Sequence, residues 1–335
     1  MQQRRRTLIA AITAMGLATT IAACGGSGGG DGGSGDSGKK KGAVAMSFGG
    51  SSLELWNDEI KLMRPEIEKA GYELLTHDPQ FKVEKQVKDW EAWIGRGDVK
   101  AIMGWPIQVD ALKPVTKRAQ DAGIPVMGYA VKWEGTDAAL LTKPESDGKN
   151  LAKDAVKWIK ENSGGKPVKV AVMSDRQNDL TRLRVEGLVN GVKAGATSAK
   201  VFQVPAVTRD EGYTAAKQHL TAHPDTTVWL SFTDDNMKGV YKALMDNGVK
   251  PDDPKYFLAG MDVTNETLDL IAKPDSIYRM AYAFTSRELA KVNVDLLLAA
   301  AEGKPVKDAM VNARLVTPDN VKDFYVGDRA ASAGS

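Results

Sequence analysis

The chain has 335 residues, with 45 basic and 43 acidic side chains, three histidines and a single cysteine. A formal charge of +2 together with 42% hydrophobic residues excludes a disordered polyelectrolyte and gives no electrostatic footprint for nucleic acid. One cysteine forbids an intrachain disulfide, and the length exceeds what one hydrophobic core holds, so two lobes are expected.

In chain order, residues 1–23 come first. Arg4, Arg5 and Arg6 precede an uncharged run from Thr7 to Ala23, the pattern of a secretory signal and too short for a comfortable membrane span. Ile21-Ala22-Ala23-Cys24 resembles the lipobox at which bacterial lipoproteins are lipidated and cut, which makes Cys24 the expected lipid attachment site and first mature residue. The plain alternative is an ordinary signal and an ordinary thiol. Against it, the chain's one cysteine stands where lipidation needs it. Arg5-Arg6-Thr7-Leu8-Ile9 also resembles a twin-arginine signal, so the Sec and twin-arginine routes both stay open. Removal of the three arginines leaves 42 basic against 43 acidic residues. Residues 24–42 are rich in Gly and Ser and read as a flexible tether. Their Gly-x-Gly-x-x-Gly spacings follow no strand and signal no nucleotide.

The body alternates short apolar runs with helical patterns. The runs are Ala43 to Phe48, Glu73 to Thr76, Ala101 to Trp105, Ile124 to Ala130, Lys169 to Ser174, Val201 to Val207, Val228 to Phe232, Tyr256 to Met261 and Ile277 to Phe284. None alternates apolar with polar, so they read as strands buried on both faces. Trp56, Ile60, Met63, Ile67 and Ala70 share one helical face, as do Met237, Val240, Tyr241 and Leu244. Pro65 is expected to kink the first helix or delay its start. The predicted fold is α/β, with two doubly wound parallel-sheet lobes. In such sheets ligands bind beyond the carboxyl ends of the strands. There the chain places Leu55-Trp56, Gly104-Trp105-Pro106, Tyr129 to Trp133, Ser174 to Asn178, Phe232 to Asn236 and Met261-Asp262.

Lys69-Ala70-Gly71-Tyr72, Ala122-Gly123-Ile124-Pro125-Val126, Arg184-Val185-Glu186-Gly187, Leu220 to Asp225 and Ala259-Gly260-Met261-Asp262 carry a resemblance to a known group. In order and spacing they are similar to the ribose-, galactose- and arabinose-binding branch of the type I periplasmic binding proteins, over Gly42 to about Gly327. The resemblance implies lobes of residues 43–143 plus 285–310 and of residues 144–284 plus 311–335. A three-segment hinge near Lys143, Phe284 and Val311 would join them. It also implies a bacterial ABC-importer lipoprotein that is not an enzyme. Such a protein works as a monomer on the outer face of the cytoplasmic membrane or in the periplasm. Its partners are a small sugar or polyol, an ABC permease and its ATPase, and the membrane through the lipid anchor, with no nucleic acid, cofactor or metal.

Carried over residue by residue, the family's ligand-contacting arginine falls on Arg184 with Arg182 as neighbour. The Asn-Asp pair falls on Thr233-Asp234 with Asp235 adjacent, the Gly-Phe-Asp acid on Asp262, and the stacking aromatic on Trp56. Trp133 and Asn178 join them as ligand candidates from strand-end loops. Three positions depart from the family: Ala130-Val131 replaces an Asp-Arg, Trp105 an Asn, and Phe284 (or Tyr282, if the alignment slips) a Gln. Carboxylates and a guanidinium suit adjacent hydroxyls, and indoles suit apolar sugar faces. The bland readings are helix capping for Asp234 and Asp235, core packing for Trp56 and Trp105, and a solvated face for Arg182. His219 and His223 have zinc spacing, but Pro224 ends the helix and no third ligand is evident. No nucleophile elbow, P-loop or zinc-protease motif occurs, and no defensible serine partners His77. Two other functions remain. One is a sensor presenting a sugar, aldehyde-like signal, nucleoside or amino acid to a membrane receptor; the less favoured is an enzyme on the same fold.

Overall fold

The computed structural model describes residues 40–175 and 177–326. Two six-stranded sheets organise them. The first contains β1 (Ala43–Ser47), β2 (Glu73–Thr76), β3 (Val99–Gly104), β4 (Val126–Ala130), β5 (Ala138–Leu141) and β11 (Ala309–Met310), in the order β11-β5-β4-β3-β1-β2. The second contains β6 (Lys169–Ser174), β7 (Lys200–Pro205), β8 (Thr226–Leu230), β9 (Phe257–Met261), β10 (Tyr278–Ala283) and β12 (Arg314–Val316), in the order β12-β10-β9-β8-β6-β7. All pairings are parallel except β10 with β12.

Both faces of the inner strands are covered, which is why β1, β4 and β9 are buried throughout, whereas β7, at the edge of the second sheet, keeps Lys200, Gln203 and Pro205 exposed, contrary to the expectation that every run is buried on both faces. In β1, Val44 and Met46 enter the core beneath α1 (Glu54–Lys69) and α9 (Ser286–Ala301), while Ala43 and Ala45 enter the core shared with α2 (Val83–Arg96) and α3 (Val109–Asp121). In β6, Val170 and Val172 pack towards α4 (Pro144–Asn162) and α5 (Asp179–Gly195). Ala171 and Met173 pack towards α6 (Arg209–Ala222), α7 (Asp234–Asp246) and α8 (Asn265–Ile271). Trp56, Met63 and Ile67 bury the inner stripe of α1.

The chain passes between the sheets three times: after β5, after β10 and between β11 and β12. Strands β5, β11 and β12 were not legible in sequence, because Ala138-Ala139-Leu140-Leu141 lacks β-branched residues and the other two are three residues or fewer. Pro65 neither delays nor ends α1, which runs continuously from Glu54 to Lys69. The ring is exposed, and the only bond it forfeits is that to the Lys61 carbonyl.

Two helix pairs of the second lobe meet backbone to backbone. A Cβ on Gly148 of α4 would lie 2.2 Å from the Arg184 carbonyl oxygen, and one on Gly187 of α5 would lie 2.2 Å from that of Glu145. A Cβ on Gly212 of α6 would stand 2.2 Å from the Asn236 oxygen, and one on Gly239 of α7 would stand 2.0 Å from that of Arg209. Glycine therefore sets the spacing of the helices that carry Arg184, Asp234 and Asp235.

Candidate functional site

A cleft opens where the carboxyl ends of both sheets face each other. From the first lobe it is lined by Leu53, Leu55, Trp56, Phe81, Trp105, Tyr129 and Ala130. The second lobe contributes Asp175, Leu180, Thr181, Arg184, Phe232 and the carboxylates Asp234, Asp235 and Asp262. Thr142 and Phe284 lie at two of the crossings.

The aromatic wall is a packed cluster. Trp56 stacks on Phe48 with centroids 5.2 Å apart and planes 17° apart, and leans on Trp105 at 5.0 Å and Phe81 at 5.9 Å. Gln86 holds the Trp105 loop from beneath. Its amide donates to the Trp105 carbonyl (2.8 Å) and to Ser47 Oγ (3.0 Å), and its Oε1 accepts from Ile107 N (3.1 Å). Behind Tyr129 lies a buried carboxyl: Tyr129 donates to Glu59 Oε1 at 2.8 Å and Asn293 donates to Glu59 Oε2 at 2.9 Å. Burial pushes the Glu59 pKa well above the carboxylate range and that of Tyr129 well above its usual value.

On the opposite wall Arg184 makes a two-pronged pair with Asp262, Nη1 to Oδ2 at 2.7 Å and Nη2 to Oδ1 at 3.2 Å, and a third bond to the Phe232 carbonyl at 2.9 Å. Two parallel bonds to one carboxylate fix the plane of the guanidinium. Asp234 accepts from Thr267 at 2.7 Å, and burial raises its pKa to about 6. Asp235 pairs with Lys238 at 2.9 Å. Neither carboxylate caps α7. The N-cap is Thr233, which makes no side-chain cap bond, and both aspartates lie in the first turn. Three of the five described non-glycine residues with positive φ, namely Phe81, Ala130 and Asp262, line the cleft. Backbone strain of this kind persists where surrounding structure enforces it, and it concentrates at ligand clamps.

The cleft thus gathers Trp56, Trp105, Arg184, Asp234, Asp235, Asp262 and Phe284. Three other candidates lie elsewhere. Trp133 belongs to the opposite face of the first sheet, its Nε1 donating to Thr116 Oγ1 at 2.9 Å, because the chain after β4 folds back over Gly128. Arg182 points along the outside of α5 to Glu186 (2.7 Å) and Asp179 (3.5 Å). Asn178 is the N-cap of α5, accepting from Leu180 N and Thr181 N, while its amide donates to the Pro106 and Ile107 carbonyls of the other lobe at 3.1 and 2.9 Å. Cys24 lies outside the described residues. The sequence reading missed Phe81, Tyr129 and Asp175, although Tyr129 and Asp175 stand in strand-end segments it had singled out and Phe81 follows β2.

His219 meets the Phe202 ring edge-on at 5.3 Å and His223 leans on it at 4.3 Å. No group of three metal-ligating side chains occurs among the described residues. His77 does have a serine partner: Ser47 Oγ lies 2.8 Å from Nε2 and Asp89 Oδ2 lies 2.7 Å from Nδ1. Ser47 is fully buried and receives the Gln86 amide, so its oxygen has no path to a substrate.

The galactofuranose-binding protein YtfQ of Escherichia coli is 25% identical over 63% of this chain, and the match spans 65% of that protein's length, short of two thirds. The Caulobacter myo-inositol binding protein bound to myo-inositol superposes with a TM-score of 0.75 at 20% identity, covering 88% of this chain and 98% of that one. A Mycobacterium smegmatis protein in complex with β-D-fucofuranose gives a TM-score of 0.75 at 18% identity, covering 87% and 96%. The model of the periplasmic binding protein domain matches residues 44–305, and the chain therefore belongs to the periplasmic binding proteins, with the two-lobed type I fold.

Proposed function

We propose that this chain is the extracytoplasmic solute-binding component of an ABC importer and captures a small sugar or polyol between its lobes. The observation that carries the reading is the Arg184–Asp262 pair facing the Trp56–Trp105 cluster across the cleft. Planar charged groups hydrogen-bond adjacent hydroxyls, and indoles cover C–H faces. The relatives named above, a galactofuranose-binding protein and proteins bound to myo-inositol and β-D-fucofuranose, support the same ligand class. Export, cleavage before Cys24 and lipid anchoring follow from the sequence of residues 1–24, and residues 24–42 would tether the binding body near a permease and its ATPase.

The test is a thermal-shift screen of the mature chain over sugars and polyols, followed by calorimetric titration. A ligand at 100 times its Kd stabilises by about 2.7 kcal/mol. Asp262→Ala and Arg184→Ala should each weaken binding at least about tenfold, because each takes a charged partner from a ligand hydroxyl enclosed in the cleft. Trp56→Ala should cost a comparable factor, and Arg182→Ala, outside the cleft, should change nothing. Full affinity in both Asp262→Ala and Arg184→Ala would remove this site from the proposal.

A further inference from the structure

The two walls of the cleft differ in kind. Among the described residues, the first lobe contributes no charged or amide side chain to the lining; Leu55, Trp56, Phe81, Trp105 and Ala130 are apolar or aromatic. Its two hydroxyls donate within the protein, that of Tyr129 to the buried Glu59 and that of Thr142, at a crossing, to the Ala130 carbonyl. The remaining polar side-chain groups on that wall are indole N–H donors, which can give a hydroxyl one bond but offer it no charged partner. Phe284 extends the apolar surface across a crossing. All the carboxylates and the guanidinium come from the second lobe, as Asp175, Arg184, Asp234, Asp235 and Asp262. Ala130 sharpens the contrast. Its φ of 70° is a conformation that Asn and Asp adopt more readily than other side chains, yet the chain presents a methyl group there.

We infer that the ligand is two-sided: a sugar or polyol derivative with hydroxyls along one edge and hydrogen or alkyl groups in their place along the other, as in a deoxy or O-methylated sugar. The inference rests on the cleft being the solute site. A hydroxyl turned to the aromatic wall loses its water without gaining a charged acceptor, and where it is left unpaired binding weakens by roughly ten- to a hundredfold for each such group. A methyl or methylene turned the same way buries apolar surface on Trp56, Phe81 and Trp105 and strengthens binding. A ligand hydroxylated all round finds no charged partner on the first lobe, whereas one stripped along a single edge matches both walls.

The experiment titrates the mature chain with matched pairs: D-galactose and 6-deoxy-D-galactose, D-glucose and methyl β-D-glucopyranoside, myo-inositol and its mono-O-methyl ethers. In the pairs that bind, the deoxy or methylated member should bind at least about tenfold more tightly. Ala130→Asn, which suits the local backbone, should narrow that preference about tenfold by adding a donor and an acceptor to the apolar wall. Phe284→Gln does the same from the crossing and serves if Ala130→Asn does not fold. Tighter binding of the fully hydroxylated members would overturn the inference and leave the solute-binding proposal standing. No binding by any member, with the chain folded, would overturn the solute-binding proposal itself.

Discussion

Arg184 shows how a single side chain is prepared for a ligand. It is held by Asp262 and the Phe232 carbonyl, and a second carboxylate, Asp147 of α4, acts on it electrostatically. Asp147 is only 4% exposed and its Oδ2 has no hydrogen-bond partner, so burial raises its pKa to about 6 despite the attraction of Arg184. Between about pH 4 and pH 6 the folded protein then keeps a proton that the unfolded chain has released. Asp147 therefore contributes stability at low pH that is lost as pH rises through that window. Asp147→Asn should melt higher than the native chain near neutral pH, and the two should converge towards pH 4 in thermal unfolding followed across the range. A constant difference at all pH values would mean that Asp147 is not the titrating group. Arg184 and Asp262 were legible because motif phrases surround them. Arg182 sits two positions from Arg184 on the same helix, and sequence alone does not say which of the two turns inward.

At the scale of elements, the glycine crossings decide where functional side chains stand. Gly148→Ala would drive a methyl into the carbonyl of Arg184 itself, so α4 and α5 must separate. Overpacking of this kind costs about 1 to 3 kcal/mol, and it also shifts the guanidinium. We expect Gly148→Ala to lower the melting temperature and to weaken ligand binding, whereas alanine at Gly95, which meets nothing within 4 Å, should do neither. Unchanged binding in a folded Gly148→Ala would show that the crossing spaces the helices without aiming Arg184. These crossings are invisible in a single sequence, where Gly148 and Gly187 look like weak points in helical patterns. The long buried strands were legible from their unbroken apolar runs. The short β5 was not, because its place between β4 and β11, rather than its residues, makes it a strand. Trp133 was misplaced for a related reason: strand-end position predicts proximity to the cleft, but the reversal over Gly128 sends it beneath the sheet.

For the molecule as a whole, side-chain contacts across the cleft join the lobes. Asn178 reaches the Pro106 and Ile107 carbonyls, and Lys238, buried against Asp235, reaches Glu54 of α1 at 3.4 Å. Such bridges bias a hinge equilibrium, and a ligand that touches both walls biases it further. Asn178→Asp keeps the oxygen that caps α5 but removes both donated bonds. It should retain its melting temperature within a few degrees, show a larger radius of gyration in ligand-free scattering, and bind several-fold more weakly without any change to the cleft lining. Identical scattering and affinity would mean that the Asn178 bridge has no part in closure.

The tryptophan pair gives the protein an internal optical reporter. Of seven tryptophans, Trp56 and Trp105 line the cleft, and the other five are at positions 90, 93, 133, 158 and 229, none of them in its lining. Their indoles lie 5.0 Å apart, close enough for their excited states to couple. Occupancy of the cleft therefore changes the emission and near-ultraviolet dichroism of two chromophores against a constant background from five. Binding of a colourless solute becomes readable without label or dye, and Trp105→Phe identifies which part of the signal arises at the site.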